Sequence, residues 1–564
     1  MIFAAQSKDI LHPFPPMPFR TYLFLFLFGL AVTVFIAQFQ PIPGYLDSDY
    51  YFAGGIQIVT GKGFTEPYLW NYLDGTTSLP HPSHSYWMPL ASIVSALGMW
   101  LTGQTTYASA RLFFLLIAAF IPPLTAALAY TFSQRRDLAI ASGLLAIFSV
   151  YHAPFVGVTD NFSLFMLFGG LYFIFATQLI QDPTRARNWF LLGLLAGLMT
   201  LSRSDGLLWL ALTFLFATRN YTQSAVEGTQ PSTFNLQPAT QTTQHATRNT
   251  RPSNFILQTS SFILAFLGFL LIMSPWYARN LSVYGTPMAP GGSRTLWLEN
   301  YDQTFIYPPT ELTKESFLAL GWDHIIADRM WALSNNLQSG FAAHGGIILF
   351  PFIVAGIIYY RKDERVKLVS LAWLILFFVM TFLFPFAGAR GAFFHAGAAL
   401  QPMWWSLAPL GLEAILLSLR KRGIGNDQNR VIFRSALIMV AMILTVYVVY
   451  LRLFTLGWGE GEDANYPVIE QFLVKNGIED NDIVIVRNAP GYYLATGRSA
   501  ISIPYGGEDA ILKAADQFNA DYLVLEPEAV LDPIKDLFQN PESQNKFVYL
   551  GELDGARIYK LESK

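Results

Sequence analysis

The stretch Pro43-Gly44-Tyr45-Leu46-Asp47-Ser48-Asp49-Tyr50-Tyr51 sets two carboxylates two residues apart, just past a long apolar run. Two kinds of chemistry suit that spacing. A carboxylate close to a low-dielectric phase holds its proton more tightly and can act as a general base near neutrality. An Asp-x-Asp can also bind a divalent cation. The plainer role is a solvated pair at the start of a helix, with Asp as its cap. A further acid, Asp160 in Gly157-Val158-Thr159-Asp160-Asn161, ends another apolar block, where it can serve chemistry or cap the helix that begins near 162. Cations accompany the acids. Arg203 lies in Leu201-Ser202-Arg203-Ser204-Asp205-Gly206, Arg111 opens an apolar block, and Arg390 and His395 share the turn 386–395. A guanidinium fork matches an anionic phosphate. Against that stand a local Arg203–Asp205 pair and the snorkelling of long cationic side chains.

Other patterns carry less. His81 and His84 are three apart, as metal ligands can be, but a loop broken by Pro80, Pro82 and Pro89 is a poor metal frame. Trp70, Tyr86 and Trp87 suit the aromatic belt at a membrane surface and could also face a sugar. The chain has no cysteine, which excludes disulfides, thiol nucleophiles and Cys-bound zinc. It has no Walker A loop, dinucleotide fingerprint or His-Glu-x-x-His, and Gly44, Gly54, Gly55, Gly61 and Gly63 lack the strand-to-helix setting of a phosphate loop. Chemistry driven by ATP is not expected.

Membrane spans are the elements that must position these groups. Of 564 residues, 53% are hydrophobic and 13% charged, against roughly a quarter charged in soluble proteins. Apolar blocks at 19–39, 112–131, 139–157, 162–180, 189–201, 206–218, 256–274, 343–360, 367–385, 399–418 and 432–453 give about eleven spans. Block 88–103 is short and holds Pro89 and Gly98. If it lies along the surface, the basic loops 133–136, 185–187, 361–367 and 420–422 all share one side. By the positive-inside rule that side is the cytoplasm, together with residues 1–18. Residues 40–111, 275–342, the turns near 158–161, 202–206 and 386–398, and everything beyond about 454 then face outward. Every acid and cation named above collects on that outer surface. The Thr-, Gln-, Ser- and Asn-rich loop 220–254 reads as disordered and cytoplasmic.

The tail, 454–564, changes character. Runs 482–486 and 521–525 read as strands, and 507–519 has helical spacing with Ala510, Ile511, Ala514, Ala515 and Phe518 on one face. A small α/β domain outside the cytoplasm is expected, with nothing catalytic in it.

These features resemble the GT-C superfamily of polytopic membrane glycosyltransferases, in particular the branch of aminoarabinose transferases and protein O-mannosyltransferases. The closest stretch is the Pro-Gly-Tyr-x-Asp, Tyr-Tyr-Phe and Gly-Lys-Gly-Phe series across 43–64, followed by Tyr86-Trp87-Met88-Pro89-Leu90 and Arg111. The likeness covers 19–280 well and later spans in outline. Met88-Pro89 stands where the family has Pro-Pro. The resemblance implies an α-helical polytopic enzyme at the plasma membrane. It would move a sugar from a polyprenyl-phosphate or pyrophosphate donor to a lipid, protein or polysaccharide acceptor on the outer face, with inversion; nucleic acid is not an expected partner. It makes Asp47 the candidate base, Asp160 the second acid and Arg203 the group near the donor phosphate; Arg111, Arg390 and His395 are further outward cations that could bind that phosphate. Asp49 departs from the family's pattern, which leaves open whether Asp47 or Asp49 is the base and whether the two hold a divalent metal. The rival readings are a transporter or lipid flippase and a non-catalytic assembly protein. A secondary transporter usually shows repeated halves and charges at the midplane, and neither is visible here.

Overall fold

The computed structural model describes residues 17–227, 254–459, 465–543 and 546–562. Residues 1–16 of the expected cytoplasmic N-terminus and 228–253 of the expected polar loop lie outside the described residues. Each of the eleven apolar blocks carries a helix. By length and composition seven helical stretches can cross a membrane among the described residues: Phe19–Ala37, Tyr107–Ser133, Phe162–Gln181, Leu257–Tyr284, Glu364–Leu383, Pro385–Lys421 and Asp427–Thr455. The protein is embedded in a membrane through them.

Other blocks are shorter than the sequence spacing predicts. Arg136–Ile147 stops because the chain reverses through a 3-10 turn, where Val150 adopts a left-handed φ of 49°. Block 343–360 yields only Phe350–Tyr359. Block 88–103 forms the apolar helix Leu90–Thr102, too short to cross, and packs against Leu46–Val59. The expected outward turn at 386–398 is instead a series of helical pieces running into Gln401–Lys421. Gly391, at φ 137°, breaks that series, so Arg390 stays exposed while His395 turns inward.

Helices in lipid gain little from burying apolar surface against each other, so close backbone approach decides their packing. Gly193 shows this: a Cβ there would overlap the Ala265 carbonyl across the contact of Ala186–Ser202 with Asn254–Tyr284. At one end of the bundle the basic loops are tied together. Arg135 pairs with Asp137 (2.5 Å) and Glu413, and Arg434 reaches Asp137 (2.5 Å).

At the other end sits a six-stranded sheet in the order Tyr68–Leu69, Ala500–Ser502, Ile483–Val486, Ala520–Leu525, Ala556–Leu561, Phe547–Leu553. The first four strands are parallel and the last two antiparallel. Both predicted runs are strands, and Glu508–Phe518 buries Ala510, Ile511, Ala514, Ala515 and Phe518 as its spacing requires. The edge strand Tyr68–Leu69 was not expected, because it comes from the first outer loop rather than the tail. One apolar core holds both parts: Tyr50, Tyr68 and Trp70 pack with Tyr466, Val484, Tyr492 and Tyr522. Trp70 therefore lies buried and stacked on Trp87 (4.0 Å), inside a core rather than in an interfacial belt.

Candidate active site

Asp47 and Asp49 both lie in the first turn of Leu46–Val59, and neither is its cap, a position held by Tyr45. Acids in a first turn are favoured by the helix dipole. At 3.6 residues per turn, positions i and i+2 point about 200° apart. That rotation separates the pair. Asp47 faces the helical bundle, and Asp49 faces the tail, where its Oδ2 accepts from Asn488 Nδ2 at 2.9 Å. An Asp47–Asp49 chelate is not what this helix offers.

Asp47 meets Asp160 instead. Two short segments are joined residue by residue. Tyr45 donates its hydroxyl to Asp160 Oδ2 (2.6 Å), and the Ser48 and Thr159 hydroxyls are 2.8 Å apart. Thr159 Oγ1 also donates to the Ser48 carbonyl (2.9 Å), and Asn161 Nδ2 donates to the Tyr51 hydroxyl (2.8 Å). Asp160 does not cap the helix Phe162–Gln181; it accepts from the Asn161 N–H next to it (2.6 Å). His395 completes the group, stacked on Phe162 at 4.1 Å with Nδ1 3.8 Å from Asp160 Oδ1. One ligand atom each from Asp47, Asp160 and His395 lies within 4.8 Å of the others. Two carboxylates and an imidazole make a donor set suited to a divalent cation. His395 Nδ1 has no hydrogen-bond partner among the described residues, which fits that use.

Burial is the main force on the acids. It pushes the Asp47 carboxyl up to about 7, the Asp160 charge raises it further, and Arg203 opposes both. Burial also raises Asp160, against the hydrogen bonds from Tyr45 and Asn161 and the pull of Arg203. Arg203 pairs with Asp205 (3.1 Å), as the local reading expected, but with both side chains mostly buried and within electrostatic reach of Asp47 and Asp160.

The remaining sequence candidates are placed elsewhere. Arg111 donates to the carbonyls of Ala37 (2.6 Å) and Gln40 (2.8 Å), where its charge complements the end of the first span. Arg390 lies over the Tyr301 ring (4.9 Å) at the mouth of a cavity against the tail. His81 and His84 do not converge: His81 sits between Glu66 (3.0 Å) and Asp74 (3.7 Å), and His84 bonds Ser83 (2.7 Å) and Ser92 (3.0 Å). Sequence reasoning passed over Tyr45, Tyr51 and Asn488. The Tyr-Tyr after the acids was the one signal for Tyr51; Asn488 left none.

No protein-family model and no curated protein matches the chain. Solved structures do. The oligosaccharyltransferase of Archaeoglobus fulgidus, in its complex with zinc and sulfate, is similar over 95% of this chain and 72% of its own, at 13% identity and a TM-score of 0.53. Apo ArnT from Cupriavidus metallidurans is similar over 96% of this chain and 98% of its own, at 12% identity and a TM-score of 0.51. The chain has the fold of the polytopic GT-C glycosyltransferases, with a small α/β domain after the helices.

Proposed function

We propose that the chain is a glycosyltransferase that moves a sugar from a polyprenyl-phosphate donor to an acceptor hydroxyl at the outer face of the plasma membrane, with Asp47 as general base. The observation that carries this reading is the meeting of Asp47, Asp160 and His395 beside Arg203, at the end of the bundle away from the basic loops. The shared fold with glycosyltransferases supports the reaction class, and the positive-inside pattern supports the orientation.

The acceptor oxygen forms a bond to the anomeric carbon as that carbon's bond to the phosphate oxygen breaks. The acceptor's proton passes to Asp47, the lipid phosphate leaves with the bonding pair, and the anomeric centre inverts. Asp47 suits the base because it binds a proton near neutrality and rates follow that affinity. Asp160 suits a holding role, since Tyr45 and Asn161 already donate to both its oxygens. Arg203, fixed by Asp205, aims positive charge at the site where the phosphate develops its own. A divalent cation held by Asp47, Asp160 and His395 would neutralise that phosphate. Asp49 and Arg111 act by holding the scaffold.

The test is incubation of membranes containing the protein with radiolabelled polyprenyl-phosphate sugars, followed by identification of labelled products. Label should move to a non-donor product, and Asp47→Asn should stop it while membrane insertion persists. Label that crosses the bilayer still attached to its lipid would favour the flippase.

A further inference from the structure

A cavity of about 360 Å³ opens at the seam between the helical part and the tail, and its lining reaches Leu46, at the start of the helix that carries the base. Leu46, next in sequence to Asp47, forms one wall with Tyr301 and Arg390, and Tyr301 lies within electrostatic reach of Asp47. The other walls come from Asp302 and Phe305 in the loop 275–342 and, on the tail's side, from Arg487, Asn488, Tyr505 and Glu528. That volume is in the range of a small-ligand site. The residues around the base thus account for one end of a chamber whose far end nothing in the proposed chemistry uses.

We infer that this seam cavity seats the acceptor, and that the acceptor is a saccharide. The inference rests on the glycosyltransferase reading. The lining is mixed: Tyr301, Phe305 and Tyr505 offer ring faces, while Arg390, Arg487, Asp302 and Glu528 offer donors and acceptors. Ring faces take the C–H side of a sugar, and charged forks take its paired hydroxyls. The two positive and two negative side chains balance, which does not select a phosphorylated headgroup. An extended peptide would seek a free strand edge. The strand leading into this wall, Ala500–Ser502, has neighbours on both sides. The tail is held in place at the chamber: Asp49 accepts from Asn488 (2.9 Å), and Gln57 Nε2 donates to the Tyr493 hydroxyl (2.8 Å). A saccharide lying from Glu528 toward Leu46 would present a terminal hydroxyl to Asp47.

The absence of cysteine provides the test. Ala529→Cys and Leu531→Cys place a thiol in the cavity wall, and Val548→Cys places one on an exposed strand away from it. Each full-length variant is assayed in membranes with labelled polyprenyl-phosphate mannose, glucose, aminoarabinose and N-acetylglucosamine, before and after a bulky methanethiosulfonate reagent. Modification of either wall thiol should lower transfer at least tenfold, leave donor binding within twofold, and be reversed by dithiothreitol. Val548→Cys should show no change, and the labelled product should resist protease and yield to glycosidases. Transfer that survives modification of both wall thiols overturns the seat, and label found on a peptide overturns the saccharide. If the unmodified protein moves label from none of the donors, the glycosyltransferase reading itself fails.

Discussion

Replacing Asp47 by Asn removes the proposed base while keeping the shape of the side chain. A positioned base is typically worth a factor of about 10² to 10⁴, or roughly 3–5 kcal/mol of barrier. The structure adds a sharper expectation in pH. With the carboxyl raised to about 7, transfer in chelator-treated membranes should climb as pH rises through about 7, because only the ionised form accepts a proton. Asp160 is one of the causes. Charges about 5 Å apart in an environment of intermediate polarity repel by about 3 kcal/mol, or roughly two pH units, and Arg203 offsets part of that. Asp160→Asn should therefore move the midpoint down by about one to two units. Burial is the larger cause and keeps it above the ordinary carboxylate range. The assay is the initial rate of labelled-sugar transfer from roughly pH 5 to 9 for the parent and both variants. An unchanged midpoint in Asp160→Asn, or full activity in Asp47→Asn, would refute the assignment.

Asp49→Asn should cost about 1.5–3 kcal/mol of stability by weakening its bond with Asn488, leave the pH midpoint in place, and be rescued by the swap Asp49→Asn with Asn488→Asp; thermal unfolding and the pH profile check it. EDTA should lower transfer at least tenfold and Mn²⁺ or Mg²⁺ restore it, with His395→Ala needing more metal; a rate indifferent to both removes the cation from the cluster. The fold raises the proton affinity of both Glu66 and His81: burial is the main cause at the acid, and at the imidazole the carboxylates of Glu66 and Asp74 outweigh burial. The native state therefore binds protons more tightly than the unfolded chain, and stability should fall as pH rises through neutrality. His81→Gln should flatten that slope in thermal unfolding.

What the sequence made legible follows from period and charge. Apolar blocks of spanning length predicted where helices form, because lipid leaves the backbone few alternatives. The same blocks could not show that Arg136–Ile147 ends early, since that depends on one left-handed residue, Val150. Asp47 and Asp160 stood out as acids at apolar boundaries, and the structure joins them. Asp49 looked equivalent to Asp47 in a linear reading, and only the turn of a helix distinguishes them. Its partner Asn488 lies 439 positions away, beyond any local pattern. The strand Tyr68–Leu69 is two residues long, too brief for alternation to register.

That brief strand has a consequence for the order of events in a living cell. Tyr72 just beyond it donates its hydroxyl to the Ser502 carbonyl, 430 positions further along. Ribosomes deliver the first of these groups long before the second, and contacts so remote in sequence close late. Until then Ala500–Ser502 has no partner on one side, and Leu46–Val59 lacks the surface against which it settles. A partly made chain would thus hold Asp49 without the Asn488 amide and Tyr68–Leu69 without its neighbouring strand until the tail has been made.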